Sequence, residues 1–348
     1  GSTVEFAIPG GGVQTVTPLS PLPPLTGGGI AIHGYPRPGA LPGPLGSGAP
    51  RRIMIMVDGN NSVGSGLDLS SAGNTIRGMA IFNCTSNNVG IAGAVATGNL
   101  VAGNHIGVRA NGTEAGGGDD GVNISNGATG NIIGGTGNAG NLISANYREG
   151  IVIRSHGNPV IGNHLGTDRT GTQPLGNGGN GVWIDSDMSS GSSNVIGGRG
   201  NGEGNLISGN STGITISGPD ARGNVIIGNR IGVDGRGENA LPNTNGGILL
   251  RDGPDGDVIG GDTVSESNVI SGNGMGGIHV LGSGTGPNRA LGNHVGTDDQ
   301  GREIGNAGNG VTVASGAGAT AVGGSEDGGN HRANNGGGGV RVDSCSDC

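Results

Sequence analysis

The chain has 348 residues, a formal net charge of −9, and 17 basic residues that are all arginine. This acidic balance argues against nucleic acid, anionic membranes and polyanionic substrates as partners unless a local basic patch exists. The 85 glycines lack the every-third spacing of collagen, and the 31% of apolar residues recur in period-two patches, which argues against disorder. Because no run of about 18 apolar residues occurs, the sequence predicts no membrane insertion.

Residues 1–60 are predicted to form an N-terminal cap and the first coils of a solenoid that continues through residues 61–348. Two Pro-punctuated loops, Pro18–Pro24 and Pro36–Pro50, separate short segments that alternate between apolar and polar residues. Such segments are typical of β-strands. The N-terminal Gly1-Ser2 is interpreted as a trimmed mature end or a remnant of cloning.

From Gly66 onward two phrases recur at near-regular intervals. The first is an apolar unit framed by asparagines, as in Asn99–Asn104 and Asn205–Asn210, and the second is a Gly-led strand, as at Gly121 (GVNI) and Gly181 (GVWI). Helical periodicity is absent, so each interval predicts one coil of a parallel β-helix in which three short strands face one another. The Asn of each Gly-Asn corner tolerates a left-handed backbone, and its amide can stack on the next Asn and so close the tight corner.

A second period makes alternate coils differ. One type carries a short Gly-rich loop, and the other carries a longer loop, at 167–180, 233–245 and 297–309. Long loops in the same register would emerge on one side of the rod, where repeat proteins usually bind their partners.

The phrases TVEFAIPGGGVQTV, PLSPLPPLTGGGIAIHGYPRPG, NLISGN, GNHLGTDRTGTQPLGN and GVWI resemble those of bacterial extracellular right-handed parallel β-helix proteins. Those proteins share the coil architecture of pectate lyases and related polysaccharide-acting enzymes. The resemblance covers nearly the whole chain and implies an all-β, single right-handed parallel β-helix of about ten to twelve coils. It also implies an extracellular or cell-surface location and a carbohydrate partner. It carries no catalytic assignment, because the shared phrases are scaffold and no Asp-Pro-His signature occurs.

In each Gly-led strand, positions two and four are predicted to point inward and position three outward. Polar residues concentrate on the outward side of the middle coils, around the single tryptophan, Trp183, whose indole would serve as a platform for a sugar. The substrate-binding candidates are Trp183, Glu149, Arg251, Asp252, His279 and Asp120. For an enzyme, the catalytic candidates are Asp185 and Asp187 as an acid–base pair in a hydrolase, or Arg154 and His156 in a lyase. The plainer interpretation is that these residues have no binding or catalytic role, because every solenoid must carry polar residues on its surface.

No metal site is predicted, although Asp185 and Asp187 offer oxygens suited to Ca²⁺, and no other cofactor is expected. The loop acids Asp168, Asp234 and Asp298 fit an Asp-x-x-Gly turn better than a Ca²⁺ loop. Histidines that follow the Gly-Asn corners are interpreted as a shared repeat position. Cys345 and Cys348 form a terminal C-x-x-C that favours a local disulfide over zinc, and Cys84 is expected to be small and buried.

Two classes of function follow. The first is an extracellular or cell-surface module with a structural, adhesive or glycan-contacting role, which presents repeated loops on one side. It would self-associate through the open edge of its C-terminal coil unless another element covers that edge. The alternative is a polysaccharide lyase or glycoside hydrolase acting in a groove near Trp183. The absence of a recognised catalytic constellation favours the first class.

Overall fold

The protein folds as one continuous stack of coils. The computed structural model describes residues 1–46, 51–186, 191–323 and 329–345. Within these ranges the strands form three parallel sheets of 11, 11 and 10 strands. Successive strands of one sheet are joined through strands of the other two, and such parallel crossovers are right-handed. The predicted all-β right-handed parallel β-helix is therefore confirmed, with ten complete three-strand coils from β3 to β32 in the described ranges.

The strands are short, and each sheet takes one strand from each coil. The first sheet consists of β1 (Thr3–Glu5), β3 (Ala31–His33), β6 (Thr75–Arg77), β9 (Leu100–Ala102), β12 (Ile132–Gly134), β15 (Pro159–Ile161), β18 (Val195–Gly197), β21 (Val225–Ile227), β24 (Val258–Gly260), β27 (Asn288–Leu291) and β30 (Thr320–Val322). The second sheet consists of β2 (Gln14–Val16), β4 (Ile55–Asp58), β7 (Ala80–Phe82), β10 (His105–Ile106), β13 (Leu142–Ile143), β16 (His164–Leu165), β19 (Leu206–Ile207), β22 (Arg230–Ile231), β25 (Val269–Ile270), β28 (His294–Val295) and β31 (His331–Arg332). The third sheet consists of β5 (Ser65–Leu69), β8 (Asn87–Ala92), β11 (Asp120–Ser125), β14 (Ile151–Ile153), β17 (Asn180–Asp185), β20 (Thr212–Ser217), β23 (Gly246–Arg251), β26 (Ile278–Leu281), β29 (Val311–Ala314) and β32 (Val340–Asp343).

Helical structure in the described residues is confined to two single turns of 3₁₀-helix, Gly137–Ala139 and Val264–Glu266. Both turns lie in loops that connect the first sheet to the second. The second turn begins with a capping box. The Thr263 side chain accepts from the backbone N–H of Glu266, and the Glu266 side chain accepts from the backbone N–H of Thr263. No helix of the described residues is long and apolar enough to cross a membrane.

The core is a column of aliphatic side chains that stack from coil to coil. In β17, Val182 and Ile184 are fully buried, as the predicted alternation requires, and they pair with Ile214 and Ile216 of the next coil. The leading Gly181 is needed because a Cβ there would lie 2.6 Å from the side chain of Ile207. Each coil therefore contributes one thin layer of aliphatic side chains to the core, which fits the near absence of aromatic residues.

Three columns of buried asparagines close the corners between the sheets. Within each column, almost every side-chain oxygen accepts from the backbone N–H of the preceding residue, and most side-chain nitrogens donate to the next oxygen. Asn273 Oδ1 instead accepts from the side-chain nitrogen of Asn243. The first column is Asn74, Asn99, Asn131, Asn158, Asn194, Asn224, Asp257 and Asn288. The second is Asn104, Asn141, Asn163, Asn205, Asn229, Asn268, Asn293 and Asn330. The third is Asn146, Asn177, Asn210, Asn243, Asn273, Asn306 and Asn335.

The predicted amide stacking is confirmed, but the left-handed residue of the corner is the glycine before the asparagine. Gly162 has φ +65°, for example, whereas Asn163 does not have a positive φ. The glycine absorbs the backbone cost that an asparagine would otherwise bear, which leaves the amide free for the ladder.

The cysteines behave differently from one another. Cys84 is buried and free, as predicted, and burial raises the pKa of its thiol to about 12. Cys345 is disulfide-bonded. Cys348 lies outside the described residues.

Candidate functional site

The predicted outward positions of the third sheet form one continuous row. The residues paired in order across neighbouring strands are Asn123, Val152, Trp183, Thr215, Leu249, His279, Thr312 and Arg341. We call the part of this surface from Asn123 to His279 the Trp183 face. Its exposure is uneven, since Val152 is fully buried and Thr215 is 3% exposed, whereas Trp183 is partly exposed. The row is therefore only partly open to solvent.

Trp183 is held in place from two sides. Its indole N–H donates to Ser217 Oγ at 2.8 Å. The guanidinium carbon of Arg154 lies 5.2 Å from the ring centroid, within the range of a cation–π contact. Both contacts come from adjacent coils, so the repeat itself fixes the orientation of the ring.

Asp185 is buried beneath this assembly. Its side chain is 3% exposed, and its Oδ2 accepts from Arg154 Nε at 2.8 Å. The expected partner carboxylate, Asp187, lies outside the described residues. The described contacts therefore give Asp185 a role in positioning Arg154 and, through Arg154, the indole of Trp183.

Replacing Arg154 with alanine is expected to lower the free energy of unfolding by about 2 kcal/mol, because the buried Asp185 carboxylate loses its guanidinium partner. Urea unfolding followed by circular dichroism measures this effect. The double variant with Asp185→Ala should recover part of the loss, since it also removes the buried charge. The single variant Asp185→Ala completes the cycle, and a loss in the double variant equal to the sum of the two single losses would show that the ion pair does not couple the two residues.

Two further carboxyl groups, those of Asp120 and Glu149, lie at the opposite end of the third sheet's strands, where β11 and β14 begin. Glu149 Oε2 accepts from the backbone N–H of Asn180 and, at 2.9 Å, from its Nδ2, and Asp120 Oδ1 accepts from the backbone N–H of Glu149 at 3.3 Å. Burial raises the pKa of both carboxyl groups above their ordinary values. Asn180 Oδ1 in turn accepts from Thr215 Oγ1 at 2.5 Å. This polar chain joins the two acids to the centre of the Trp183 face.

The remaining candidates are more dispersed. Arg251 and Asp252 are exposed and form a loose ion pair at 3.6 Å. His156 is exposed in the turn after β14, beyond the strand face. His279 lies on the face two coils beyond Thr215, and burial lowers the pKa of its imidazole, so it is neutral at physiological pH. The structure thus gathers Trp183, Arg154 and Asp185 closely, with Glu149 and Asp120 joined through hydrogen bonds.

The acids of the long loops hold the loops themselves. Asp168 Oδ1 accepts from the backbone N–H groups of Thr172 and Gln173, and Asp298 Oδ1 accepts from that of Arg302 at 2.7 Å. Asp234 Oδ1 accepts in the same way from Glu238. The turn interpretation is therefore confirmed. Among the described residues, no group of three or more His, Cys, Asp or Glu side chains is arranged to hold a metal ion.

The histidines after the Gly-Asn corners lie in one row on the outside of the second sheet. His105, His164 and His294 share a register position, which intervening coils fill with residues such as Leu142 and Arg230. Sequence reasoning identified this shared position. It missed Asn180, and although it placed Ser217 just past a Gly-led strand, it did not predict the bond of Ser217 to Trp183, because that bond depends on the neighbouring coil.

Neither protein-family models nor curated proteins match this chain at a significant level. Among solved structures, the periplasmic alginate epimerase AlgG aligns with 14% identity and a TM-score of 0.35, over 91% of this chain and 68% of AlgG. Two mutants of AlgG align with 13% identity over the same shares, with TM-scores of 0.33 and 0.35. A hyper-glycosylated fragment of TibA aligns with 11% identity and a TM-score of 0.18, over 99% of this chain and 97% of the fragment. All of these TM-scores are below 0.5, so the assignment of the chain as a right-handed parallel β-helix rests on its own three parallel sheets.

Proposed function

We propose that the protein is a glycan-contacting module of the extracellular space or the cell surface, with the Trp183 face as its contact surface. The observation that carries the proposal is the fixed, partly exposed indole of Trp183, bonded to Ser217 and held beside Arg154. Aromatic side chains supply a large apolar surface with a polar rim, which suits the mixed faces of a sugar ring. A pre-oriented ring also loses little conformational freedom on binding.

The neighbouring groups suit an extended carbohydrate. Asn123 lies on the same face two coils from Trp183, where its amide is half-buried, and an amide can both donate to and accept from sugar hydroxyls. Thr215 and Asn180 bond each other beneath the surface and support the face from below. Neighbouring coils rise by about 4.8 Å, so a polymer that crosses the strands meets a new set of side chains at each coil. The repeat thereby presents a long ligand with side chains at a regular spacing along the rod.

An enzyme acting on the same face is the second candidate, and the raised pKa values of Glu149 and Asp120 favour it. A carboxyl group whose pKa is raised by burial holds its proton to a higher pH than an ordinary carboxyl group, which suits general acid catalysis. The hydrolase and lyase candidates Asp185, Asp187, Arg154 and His156 remain part of this alternative. Tight pairing of Arg154 with Asp185 favours the binding module over a lyase in which Arg154 abstracts a proton.

The experiment uses Trp183 itself, because it is the one tryptophan of the chain. Titration with neutral and acidic polysaccharides, with and without Ca²⁺, should change its fluorescence. Affinity electrophoresis should then show at least about tenfold weaker binding for Trp183→Ala. The control is Tyr147→Ala, which removes an exposed aromatic residue outside the Trp183 face.

The same mixtures decide between the two candidates. Binding without new reducing ends or unsaturated products supports the module, whereas turnover abolished in Glu149→Gln or Asp185→Ala supports the enzyme. If polysaccharide binding is unchanged in Trp183→Ala, the Trp183 face is neither the contact surface of a binding module nor the active site of an enzyme.

A further inference from the structure

A groove of about 690 Å³ runs along the outer face of the second sheet, away from the Trp183 face. We call it the second-sheet groove. Its floor is the row His164, Leu206, Arg230, Val269 and His294, in which each residue pairs with the next across neighbouring strands. The groove thus crosses five successive coils and is shaped for a ligand that extends along the rod.

Two sets of loops wall the groove. On one side are the Gly-rich loops that lead from the first sheet to the second, including residues 198–204 and the turn Val264–Glu266. On the other side are the long loops that lead from the second sheet to the third. Backbone hydrogen bonds join neighbouring loops within each wall, Gly162 N–H to the Glu203 carbonyl at 2.9 Å and Gly235 N–H to the Gly171 carbonyl at 2.8 Å.

On the preceding coils, the chain's own N-terminal region packs against the outer face of the second sheet, in line with this groove. Leu41 and Arg52 bond each other's backbone in both directions, so the described residues between them, 42–46 and Arg51, lie on an excursion from the coil. Arg51, only 5% exposed, donates from Nη1 to the carbonyl of Gly140 at 2.6 Å and from Nη2 to that of Asn138 at 3.0 Å. The loops of the first wall thus already bind one arginine side chain of the protein through their backbone carbonyls.

Gly46 makes the corresponding contact with the second wall. Its N–H donates to the carbonyl of Arg169 at 3.1 Å, and its α-carbon lies so close to the ring of His164 that an added Cβ would be 3.3 Å from Cε1. Pro44, Leu45 and Gly46 then border the open groove. The open part of the groove therefore begins beside these three residues.

The wall that receives Arg51 is repeated in the open part. The phrases that begin at Asn131 and Asn194 match, so Asn201 and Gly204 correspond to Asn138 and Gly140. Asn201 and Gly204 both line the open groove. By this sequence correspondence, the 198–204 loop offers the backbone carbonyls of Asn201 and Gly204 to a ligand in the open groove.

We propose that the open part of the second-sheet groove binds an extended polypeptide segment, rich in Gly and Pro, that places an arginine against the 198–204 loop. The net charge of −9 favours a cationic ligand. Arg199 and Arg230 already have counter-charges, since they pair with Glu266 at 2.5 Å and Asp299 at 3.9 Å. Val264, 89% exposed at the rim, adds an apolar contact.

The probe is a fluorescent peptide with the sequence of residues 38–54, titrated into the intact protein and followed by anisotropy. Gly235 lines the groove, has no positive φ, and has its nearest neighbours at 3.6 Å from an added Cβ. Gly235→Trp should therefore fold and obstruct the groove, which raises the dissociation constant at least about tenfold. The matched control is Gly64→Trp, because Gly64 also lacks a positive φ, has open space, and lies outside the groove.

A peptide in which both arginines are replaced by alanine should also bind at least about tenfold more weakly. Equal binding of the two peptides, or no saturable binding of the parent peptide, would overturn the proposal. So would a polysaccharide whose binding is lost in Gly235→Trp, because it would assign the groove to a glycan. Peptide binding should be unchanged in Trp183→Ala, so this proposal and the proposed function fail independently.

Discussion

Replacing Asn205 with alanine is expected to lower the free energy of unfolding by about 3–5 kcal/mol, far more than most single substitutions. Asn205 is buried in the middle of the second asparagine column. Its Oδ1 accepts from the N–H and the Nδ2 of Asn163, and its Nδ2 donates to the Val160 carbonyl at 2.8 Å and to Asn229 Oδ1 at 2.9 Å. Alanine removes all four bonds and leaves buried polar groups that water does not reach, each costing about 1–3 kcal/mol.

The control for this substitution is Asn201→Ala, an exposed asparagine of the adjacent Gly-rich loop. Urea unfolding monitored by far-ultraviolet circular dichroism should show a change below about 0.5 kcal/mol for the control. A loss in Asn205→Ala as small as that in Asn201→Ala would mean that the amide columns fill corners without stabilising the stack.

The fold follows from the sequence because two simple rules act in every coil. Alternation places Val182 and Ile184 inside and Trp183 outside, and a small residue is required at Gly181 where the strand passes the core. The asparagine that follows each corner glycine shows where one coil bonds to the next through its side-chain amide. Repetition multiplies each weak signal, so the register of the outward row was predictable residue by residue.

The site was predictable only to the level of a face. Alternation says that Arg154 and Asp185 lie on the outer side, but their mutual pairing, which buries Asp185, depends on the reach of a long side chain between coils. The second-sheet groove was less predictable still. Arg51 and the Gly140 carbonyl lie 89 residues apart, and no periodic pattern in the Pro-rich segment indicates where it docks.

One member of the first amide column departs from asparagine, and it makes stability depend on pH. Asp257 Oδ1 accepts from the backbone N–H of Asn224 at 2.7 Å and from its Nδ2 at 2.9 Å, as an asparagine oxygen would. Its Oδ2 is buried without a hydrogen-bond partner among the described residues. At the equivalent place Asn194 has a nitrogen, which donates to Asn224 Oδ1 and to the Ser155 carbonyl. Asp257 can donate in this way only when it is protonated.

Burial accordingly raises the pKa of Asp257 to about 7 from its ordinary value of 3.8. Below about pH 4 the carboxyl group is protonated in both the folded and the unfolded chain, so its contribution is fully present. As the pH rises toward 7, the unfolded chain ionises while the folded chain keeps its proton, and stability falls. Above about pH 7 the loss is complete, and a shift of about three pKa units corresponds to about 4 kcal/mol.

Asp257→Asn is therefore expected to raise the melting temperature at pH 8.5 and to change it little at pH 4, because the amide donates at every pH. Thermal unfolding of the variant and the parent protein between these pH values measures the difference. Asp220→Asn, which removes an exposed carboxylate from the turn before Asn224, should give a small difference at every pH. A stabilisation by Asp257→Asn that is the same at pH 4 and pH 8.5 would show that proton uptake by Asp257 does not complete the column.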